Sequence, residues 1–505
     1  MKNRFFVLAS ALLLLALVGC KPADPDQPTI TNVTAQDVVV SRVSALGASF
    51  TAGFQSGGLL NEFQQNSWPN IIARQMGMTM QQPLVAYPGI SSTPGQGVLR
   101  WDPATGSILP GEPYTNPLAL LENATLPRPY DNLGVPGADL IDMIQGTTAA
   151  NTGNPFYDLI LRNPNFGNTS QLDQVIASNP TMVVSLLGGN DVLGAALGGE
   201  PQVGDGSTPG DNITPQSLFD QRLNTIIDRI QAETNAVMVM ANLPAVTNLP
   251  FVTILSNPAY SGVFQDFGPL GVLPVVFDGN FQPVDFNPDP TAVLYLPLVT
   301  EENDIKHLLL PFLTAYQSGV GVPDSAAVAD FLILTGQPAP VAAATAQQLV
   351  LGMQQQGLNP TGTPVPQTMS LTSGEEQIIL DATDGFNTSI ISAAQAKGVV
   401  VADLITPFNE ILAGGPAGVS GVSAVFVLIN PAATMFSLDG FHPNDAGSAV
   451  IAKAYIQAIN AALGSQIPVP DPADYAGQYL NPNPGINLDI AIPAAVGRTI
   501  DLFVK

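Results

Sequence analysis

Short runs of aliphatic and β-branched residues alternate along the chain with segments whose apolar residues recur at helical spacing. The runs are continuously apolar, which is typical of strands buried on both faces, and they lie at 41–46, 181–187, 236–240 and 398–402. Helical spacing predicts four long helices, at 68–76, 216–233, 375–397 and 445–463. Buried strands separated by helices indicate a parallel sheet covered on both faces. We therefore predict an α/β fold with a mostly parallel central sheet.

This alternation breaks in two places. A stretch from about 247 to 373 is rich in Pro, Phe, Leu and Val, and we predict a large insertion there, with short helices at 324–334 and 342–356. The last residues, 466–505, are rich in Pro and are expected to wrap the domain. The main domain is therefore expected to cover 41–465.

The first residues have the pattern of an export signal. Lys2 and Arg4 give a positive start, and the apolar run 5–18 is shorter than the ~20 residues of a membrane span. The run ends at Gly19 and Cys20, which resembles the bacterial lipobox, where a small residue precedes a cysteine that becomes lipid-modified after cleavage. The alternative is a buried N-terminal strand or helix with an incidental cysteine.

The lipobox implies a lipoprotein signal peptide over 1–19, lipidation at Cys20 and a flexible tether over 20–40. We expect an exported protein that acyl chains anchor at the cell envelope, on the outer membrane.

Composition narrows the class of protein further. The 505 residues are 46% hydrophobic and 11% charged, which excludes disorder for most of the chain. The net charge of −25 disfavours binding to nucleic acid, and we expect no nucleic-acid partner. One cysteine excludes a disulfide framework, and two histidines disfavour a zinc site. An imidazole base, if the chemistry needs one, is either His307 or His442.

Four short polar segments follow predicted strands or precede the last helix. They lie at 46–53, 132–138, 187–191 and 438–443. Ligands of parallel sheets bind beyond the carboxyl ends of the strands. We therefore expect these segments to meet at one edge of the sheet.

The residues in these segments suit acyl transfer. A serine hydroxyl such as that of Ser49 needs a base, which His442 can be, and Asp439 can orient the imidazole. A tetrahedral oxyanion needs fixed donors. The N–H groups of Ser49 and Gly134 and the side-chain amide of Asn190 are the candidate donors.

The four segments, in this order, resemble the blocks of the SGNH hydrolases, also called the GDSL esterase/lipase family. The resemblance covers about 41–246 and 375–463. It implies a three-layer α/β/α fold, hydrolysis of carboxylic esters and no metal or other cofactor. It also implies that Ser49 is the nucleophile, that Asp439 and His442 complete the triad, and that the three candidate donors form the oxyanion hole.

The first block departs from the family pattern. The family usually has Gly-Asp-Ser, whereas this chain has Gly47, Ala48 and Ser49. The triad acid of the family precedes the histidine by three residues, so Ala48 removes no catalytic group. The hydrogen bonds that brace the nucleophile turn are in question, and activity is expected to be lowered if they are missing.

Each candidate also has an ordinary structural interpretation. Ser49 and Asn190 can cap helices. Gly134 can be a turn glycine, and His442 can be a surface histidine. The order of all four segments favours catalysis over these separate explanations. His307 lies in the insertion, and we interpret it as structural.

We therefore expect a lipid-anchored serine ester hydrolase that acts on lipid or other acyl esters, with the apolar insertion as a lid or acyl-chain wall. One alternative is an esterase that removes acetyl groups from polysaccharides, although only 7% of residues are aromatic and sugar-binding grooves use aromatic rings. Another is a non-catalytic surface lipoprotein on a decayed hydrolase fold, which Ala48 mildly favours.

Overall fold

A computed structural model describes most of the domain. The described residues are 34–35, 38–102, 107–163, 165–204, 212–255, 276–277, 283–284, 305–334, 336–355, 357–427 and 429–477. Cys20, the predicted signal peptide, the insertion residues 256–275 and the end of the tail from 478 lie outside them. The lipid anchor therefore stays a prediction.

The centre of the molecule is a sheet of five parallel strands. In chain order they are β1 (Val43–Gly47), β2 (Asn132–Gly134), β3 (Met182–Leu186), β4 (Val237–Ala241) and β5 (Val400–Ala402). Their order in the sheet is β5-β4-β3-β1-β2, so the chain reverses direction across the sheet at β1. In register, Gly47 lies opposite Gly134 on one side and Leu186 on the other. The carboxyl ends of β1, β2 and β3 therefore meet at the switch point, where ligands of such sheets bind.

Sixteen α-helices are found in the described ranges. They are α1 (Ser49–Ala52), α2 (Asn61–Gln65), α3 (Trp68–Gln75), α4 (Leu140–Gln145), α5 (Ala149–Thr152), α6 (Phe156–Leu161), α7 (Gln171–Ala177), α8 (Asn190–Gly198), α9 (Gln216–Glu233), α10 (Pro250–Thr253), α11 (Pro311–Gln317), α12 (Ser325–Leu334), α13 (Ala339–Gln355), α14 (Ser373–Lys397), α15 (Ile405–Ala413) and α16 (Asp445–Leu463). None of these helices is long and apolar enough to cross a membrane.

Helices cover both faces of the sheet. On one face α3 packs on α16, and the ring of Trp68 stacks on that of Tyr455 with 4.4 Å between centroids. On the other face α9 packs on α14, where Phe219 stacks on Phe386 at 3.9 Å. Each interface buries apolar side chains against the strands. The predicted α/β/α layering with a parallel central sheet is confirmed.

Helix ends follow local capping. Helices α9 and α16 have the predicted bounds. Helix α14 begins two residues earlier than predicted, since Thr372 and Glu375 form a capping box. It ends at Gly398, which has the positive φ of a left-handed cap. For that reason β5 starts at Val400 and is shorter than predicted.

The insertion contains a strand pair that the sequence pattern does not reveal. Ile305–Leu308 pairs antiparallel with Ser370–Thr372, just before α14. The two predicted helices are present as α12 and α13, within one to three residues of the predicted bounds. Because Ser370–Thr372 directly precedes α14, the strand pair attaches residues 305–308 of the insertion to the main domain.

Candidate active site

A tight turn after β1 positions Ser49. A Cβ on Gly47 would lie 2.2 Å from Thr51 Oγ1, so only glycine fits where β1 turns into α1. Ser49 is the first residue of α1 and is 1% exposed. The residue before it, Ala48, makes no side-chain hydrogen bond to cap this helix. The nucleophile turn is therefore held by packing and backbone geometry.

Asp439 and His442 form a hydrogen-bonded pair with no solvent exposure. His442 Nδ1 lies 2.9 Å from Asp439 Oδ2, which also accepts the Gly57 N–H at 2.8 Å. The other oxygen, Oδ1, accepts from the Ser437 hydroxyl at 3.0 Å and from the N–H groups of Phe441 and His442 at 3.2 and 3.0 Å. Each of these groups donates to the carboxylate, so the acid is held in one orientation.

The same contacts keep Asp439 charged. Burial alone raises the pKa of Asp439, but the charge of His442 and the hydrogen bonds from His442 and Gly57 outweigh burial. The net pKa lies below the ordinary value. A charged Asp439 that accepts Nδ1–H fixes the histidine tautomer whose Nε2 carries the lone pair.

The chain after α1 is tied to the loop that carries the pair. The Ser56 N–H donates to Ser437 Oγ at 2.9 Å, next to the bond from Gly57 to Asp439. Rings from the same stretch contact the imidazole: the centroids of Phe50 and Phe54 lie 5.6 and 4.6 Å from that of His442. These contacts place the imidazole of His442 against Phe50, the residue that follows the candidate nucleophile.

Asn190 lies at the predicted strand end beside this cluster. It is the first residue of α8 after β3, and its Nδ2 donates to the Ala138 carbonyl at 2.9 Å. Ser49 and Asn190 line one cavity, together with Pro443, the neighbour of His442. Ser49 and Asn190 therefore line one cavity at the switch point of the sheet, and the Asp439–His442 pair contacts Phe50, the residue after Ser49.

Gly134 has a different role from the predicted one. Its N–H donates to Asn132 Oδ1 at 3.0 Å, so this donor is engaged within β2. A Cβ on Gly134 would lie 2.4 Å from the Ala52 nitrogen, because α1 packs directly over it. The structure gives Gly134 a packing role beneath the nucleophile helix in place of the predicted oxyanion contact.

Gly137, which was not among the predicted donors, directly precedes Ala138, whose carbonyl accepts from Asn190. The Ala138 N–H donates to the Val135 carbonyl at 3.1 Å, and Gly137 has a φ of +79°, as in a type II turn with Pro136 before it. The Pro-Gly pair is the sequence signal for this turn. Since Asn190 binds Ala138, the Gly137 peptide lies next to the Asn190 amide.

Asp191 connects this turn to the helices behind it. Its Oδ2 accepts the Leu140 N–H at 3.2 Å, which joins the start of α4 to the start of α8. Burial, and to a lesser extent the negative charge of Asp139, raise the pKa of Asp191. Asp191 therefore supports the loops on either side of Asn190.

His307 forms a second histidine–carboxylate pair, with Glu376 of α14. Its Nε2 lies 3.1 Å from Glu376 Oε1, and Lys306 pairs with the same carboxylate. Burial alone raises the pKa of Glu376, but the hydrogen bonds from His307 and Lys306 give a net pKa below the ordinary value. The pair links the insertion strand to α14.

Comparisons with family models, with curated proteins and with solved structures find no match to this chain. In the ranges that the structure describes, no group of three or more His, Cys, Asp or Glu side chains is arranged to hold a metal ion.

Proposed function

We propose that this protein is a serine ester hydrolase of the SGNH type. The observation that carries the proposal is the buried Asp439–His442 pair at 2.9 Å, packed against the ring of Phe50, the residue next to Ser49. The cavity shared by Ser49 and Asn190 at the switch point adds support. Nucleophile, base, orienting acid and an amide donor are the parts that acyl transfer needs.

In the first half of the proposed reaction, Ser49 Oγ attacks the ester carbonyl carbon while its proton passes to His442 Nε2. Asp439 stays ionised and stabilises the imidazolium that forms. The tetrahedral intermediate collapses as the bond to the alcohol oxygen breaks, and His442 returns the proton to that oxygen. An acyl group is left on Ser49.

In the second half, water attacks the acyl-Ser49 carbonyl, and His442 Nε2 takes the proton of the water. Collapse of this second intermediate breaks the bond to Ser49 Oγ, which recovers its proton from His442. The products are a carboxylic acid and the free enzyme.

The oxyanion in both steps is stabilised by N–H donors. We assign the Ser49 N–H and the Asn190 amide, whose second Nδ2 proton is not needed for the bond to Ala138. For the third donor we replace Gly134 with Gly137, because the Gly134 N–H is engaged by Asn132. The position of Gly137 beside Ala138 supports this assignment.

The proposal includes the lipid anchor. The N-terminal pattern that ends at Cys20 supports export and attachment to an envelope membrane. A polysaccharide deacetylase and a non-catalytic lipoprotein remain as outcomes of the tests.

The kinetic test uses Ser49→Ala, which removes the nucleophile and little volume. Hydrolysis of p-nitrophenyl acetate is expected to fall to background, with an unchanged melting temperature. The matched control is Ser392→Ala on the exposed side of α14, which is expected to keep wild-type kcat/KM. Wild-type turnover by Ser49→Ala would contradict the proposal.

A further inference from the structure

We propose that the cavity beside Ser49 binds a linear fatty acyl chain. The inference rests on the proposed function, because it takes Ser49 as the nucleophile, and it names the substrate class. The cavity is bounded by the carboxyl ends of β3 and β4 and by the starts of α1 and α8. A bound ester would place its carbonyl at Ser49 and Asn190 and its acyl chain along the walls.

The walls of this cavity are almost wholly apolar. Side chains with polar atoms come from Ser49, Thr51 and Asn190, and no charged side chain lines it. Inward from these, the walls are aliphatic and aromatic, as at Leu243 and Phe408. Sugar hydroxyls placed here would lose their hydrogen bonds to water without gaining others, whereas methylene groups gain from leaving water. The lining therefore favours an acyl chain over a carbohydrate.

The cavity is larger than an acetyl group needs. The volume open to water-sized groups is about 110 Å³. One water takes roughly 30 Å³ of liquid volume, so the cavity holds several groups of that size. A chain of several methylene groups therefore fills the cavity better than an acetyl group does.

The walls of the cavity come mainly from residues that were not among the predicted site residues. The loop 243–246 after β4 supplies part of the lining, together with Phe408 of α15 and Phe436 before the Asp439 loop. Of the insertion residues that the structure describes, Leu249 reaches the cavity. The insertion residues 256–275, which belong to the predicted acyl-chain wall, lie outside the described residues.

Two substitutions change the cavity in opposite directions. Ala245→Phe adds a ring at the partly exposed wall of the loop after β4, and Phe408→Ala removes one from α15. For p-nitrophenyl esters of two to fourteen carbons, wild-type kcat/KM is expected to rise up to about fourfold per methylene and to level off once the chain fills the cavity. Ala245→Phe should lower the octanoate-to-acetate ratio at least tenfold, and Phe408→Ala should move the optimum to longer chains.

The control is Ala150→Phe, an exposed alanine outside this lining. It is expected to leave the octanoate-to-acetate ratio within twofold of wild type. A purely structural role for Ala245 and Phe408 would lower the melting temperature of both variants without moving their chain-length optima in opposite directions. That outcome, or a flat wild-type series, would overturn the proposal.

A binding experiment separates this inference from the proposed hydrolase. Octanoate and acetate are titrated into wild-type protein and into Ala245→Phe by calorimetry. Octanoate binding that is at least a hundredfold tighter than acetate binding and weakened by Ala245→Phe would support the acyl site even if no ester were hydrolysed. Ester hydrolysis without octanoate binding or chain-length preference would refute the acyl site and leave the hydrolase standing.

Discussion

The protein contains two histidine–carboxylate pairs. They differ in solvent exposure, in the ring nitrogen that contacts the carboxylate and in the further partners of the carboxylate. His442 and Asp439 have no solvent exposure, and the histidine uses Nδ1 to bind its acid. His307 is 8% exposed, uses Nε2, and shares Glu376 with Lys306. The first pair lies beside the turn that carries Ser49, and the second joins a strand to a helix. Under the proposed function, the surroundings of each pair, more than the pair itself, distinguish the base from the structural histidine.

Replacing each histidine gives the largest expected contrast. His442→Ala removes the proposed base, and kcat/KM for p-nitrophenyl acetate is expected to fall by at least about 10³. His307→Ala breaks the pair with Glu376 and is expected to keep most of the activity while lowering the melting temperature. The reverse ranking, measured on the same soluble ester, would refute the assignment of the base.

The two acids give the next largest contrast. Asp439→Asn can no longer select the tautomer that places the lone pair on Nε2, so a loss of kcat on the order of 10³–10⁴ is expected. Glu376→Gln keeps an oxygen acceptor for His307 and should change kcat less than about threefold. Equal losses in the two variants would mean that Asp439 has only a structural role.

A third buried carboxylate, that of Asp445, extends the comparison to the dependence of stability on pH. Burial raises the pKa of Asp445 to about 7, although Gln55 and Asn66 donate to it at 2.8 Å. Asp439 is equally buried, but the charge of His442 helps to keep its pKa low. The two surroundings differ in the backbone N–H groups and the imidazole that contact Asp439, whereas Gln55 and Asn66 contact Asp445 through side-chain amides.

Because the folded-state pKa of Asp445 is raised, its contribution to stability is fully present below about pH 4 and is lost as pH rises to about 7. The loss is at most roughly 4 kcal/mol. Asp445→Asn is expected to reduce the fall in melting temperature between pH 4.5 and 8. The control is Asp330→Asn, at an exposed position of α12. An unchanged pH dependence in Asp445→Asn would contradict the raised pKa.

The smallest expected effect on catalysis comes from the predicted anchor. Cys20→Ser is expected to leave kcat/KM for a soluble ester unchanged, since Cys20 lies in the sequence far from the proposed site. The variant should lose labelling by a radioactive fatty acid and leave the membrane pellet. Retention in the pellet after high-salt and carbonate washes would reveal another attachment.

Much of the sheet and the positions of four candidate site residues could be predicted from the sequence. Strand and helix periods are local signals, and the rule that parallel strands present ligands at their carboxyl ends brings distant segments together. This rule applies to the candidates Ser49 and Asn190, which follow β1 and β3, whereas the candidates Asp439 and His442 precede the last helix. Membership of the SGNH hydrolases stays part of the proposal.

The remaining features depend on contacts between distant residues. The strand pair of Ile305–Leu308 with Ser370–Thr372 joins segments about sixty residues apart, and no local pattern specifies such a partner. The engagement of the Gly134 N–H depends on the rotamer of Asn132. The cavity beside Ser49 forms where the ends of β3 and β4 meet Phe408 of α15, and its walls consist of ordinary apolar residues.

The central claim is that Ser49 is the nucleophile, and covalent labelling tests it most directly. The wild-type protein is treated with a fluorophosphonate, digested, and mapped by mass spectrometry. The account predicts one phosphonylated serine, Ser49, with labelling abolished in Ser49→Ala and retained in Ser392→Ala. A modified residue elsewhere, or a wild-type protein that hydrolyses esters with Ser49 unmodified, would contradict the account.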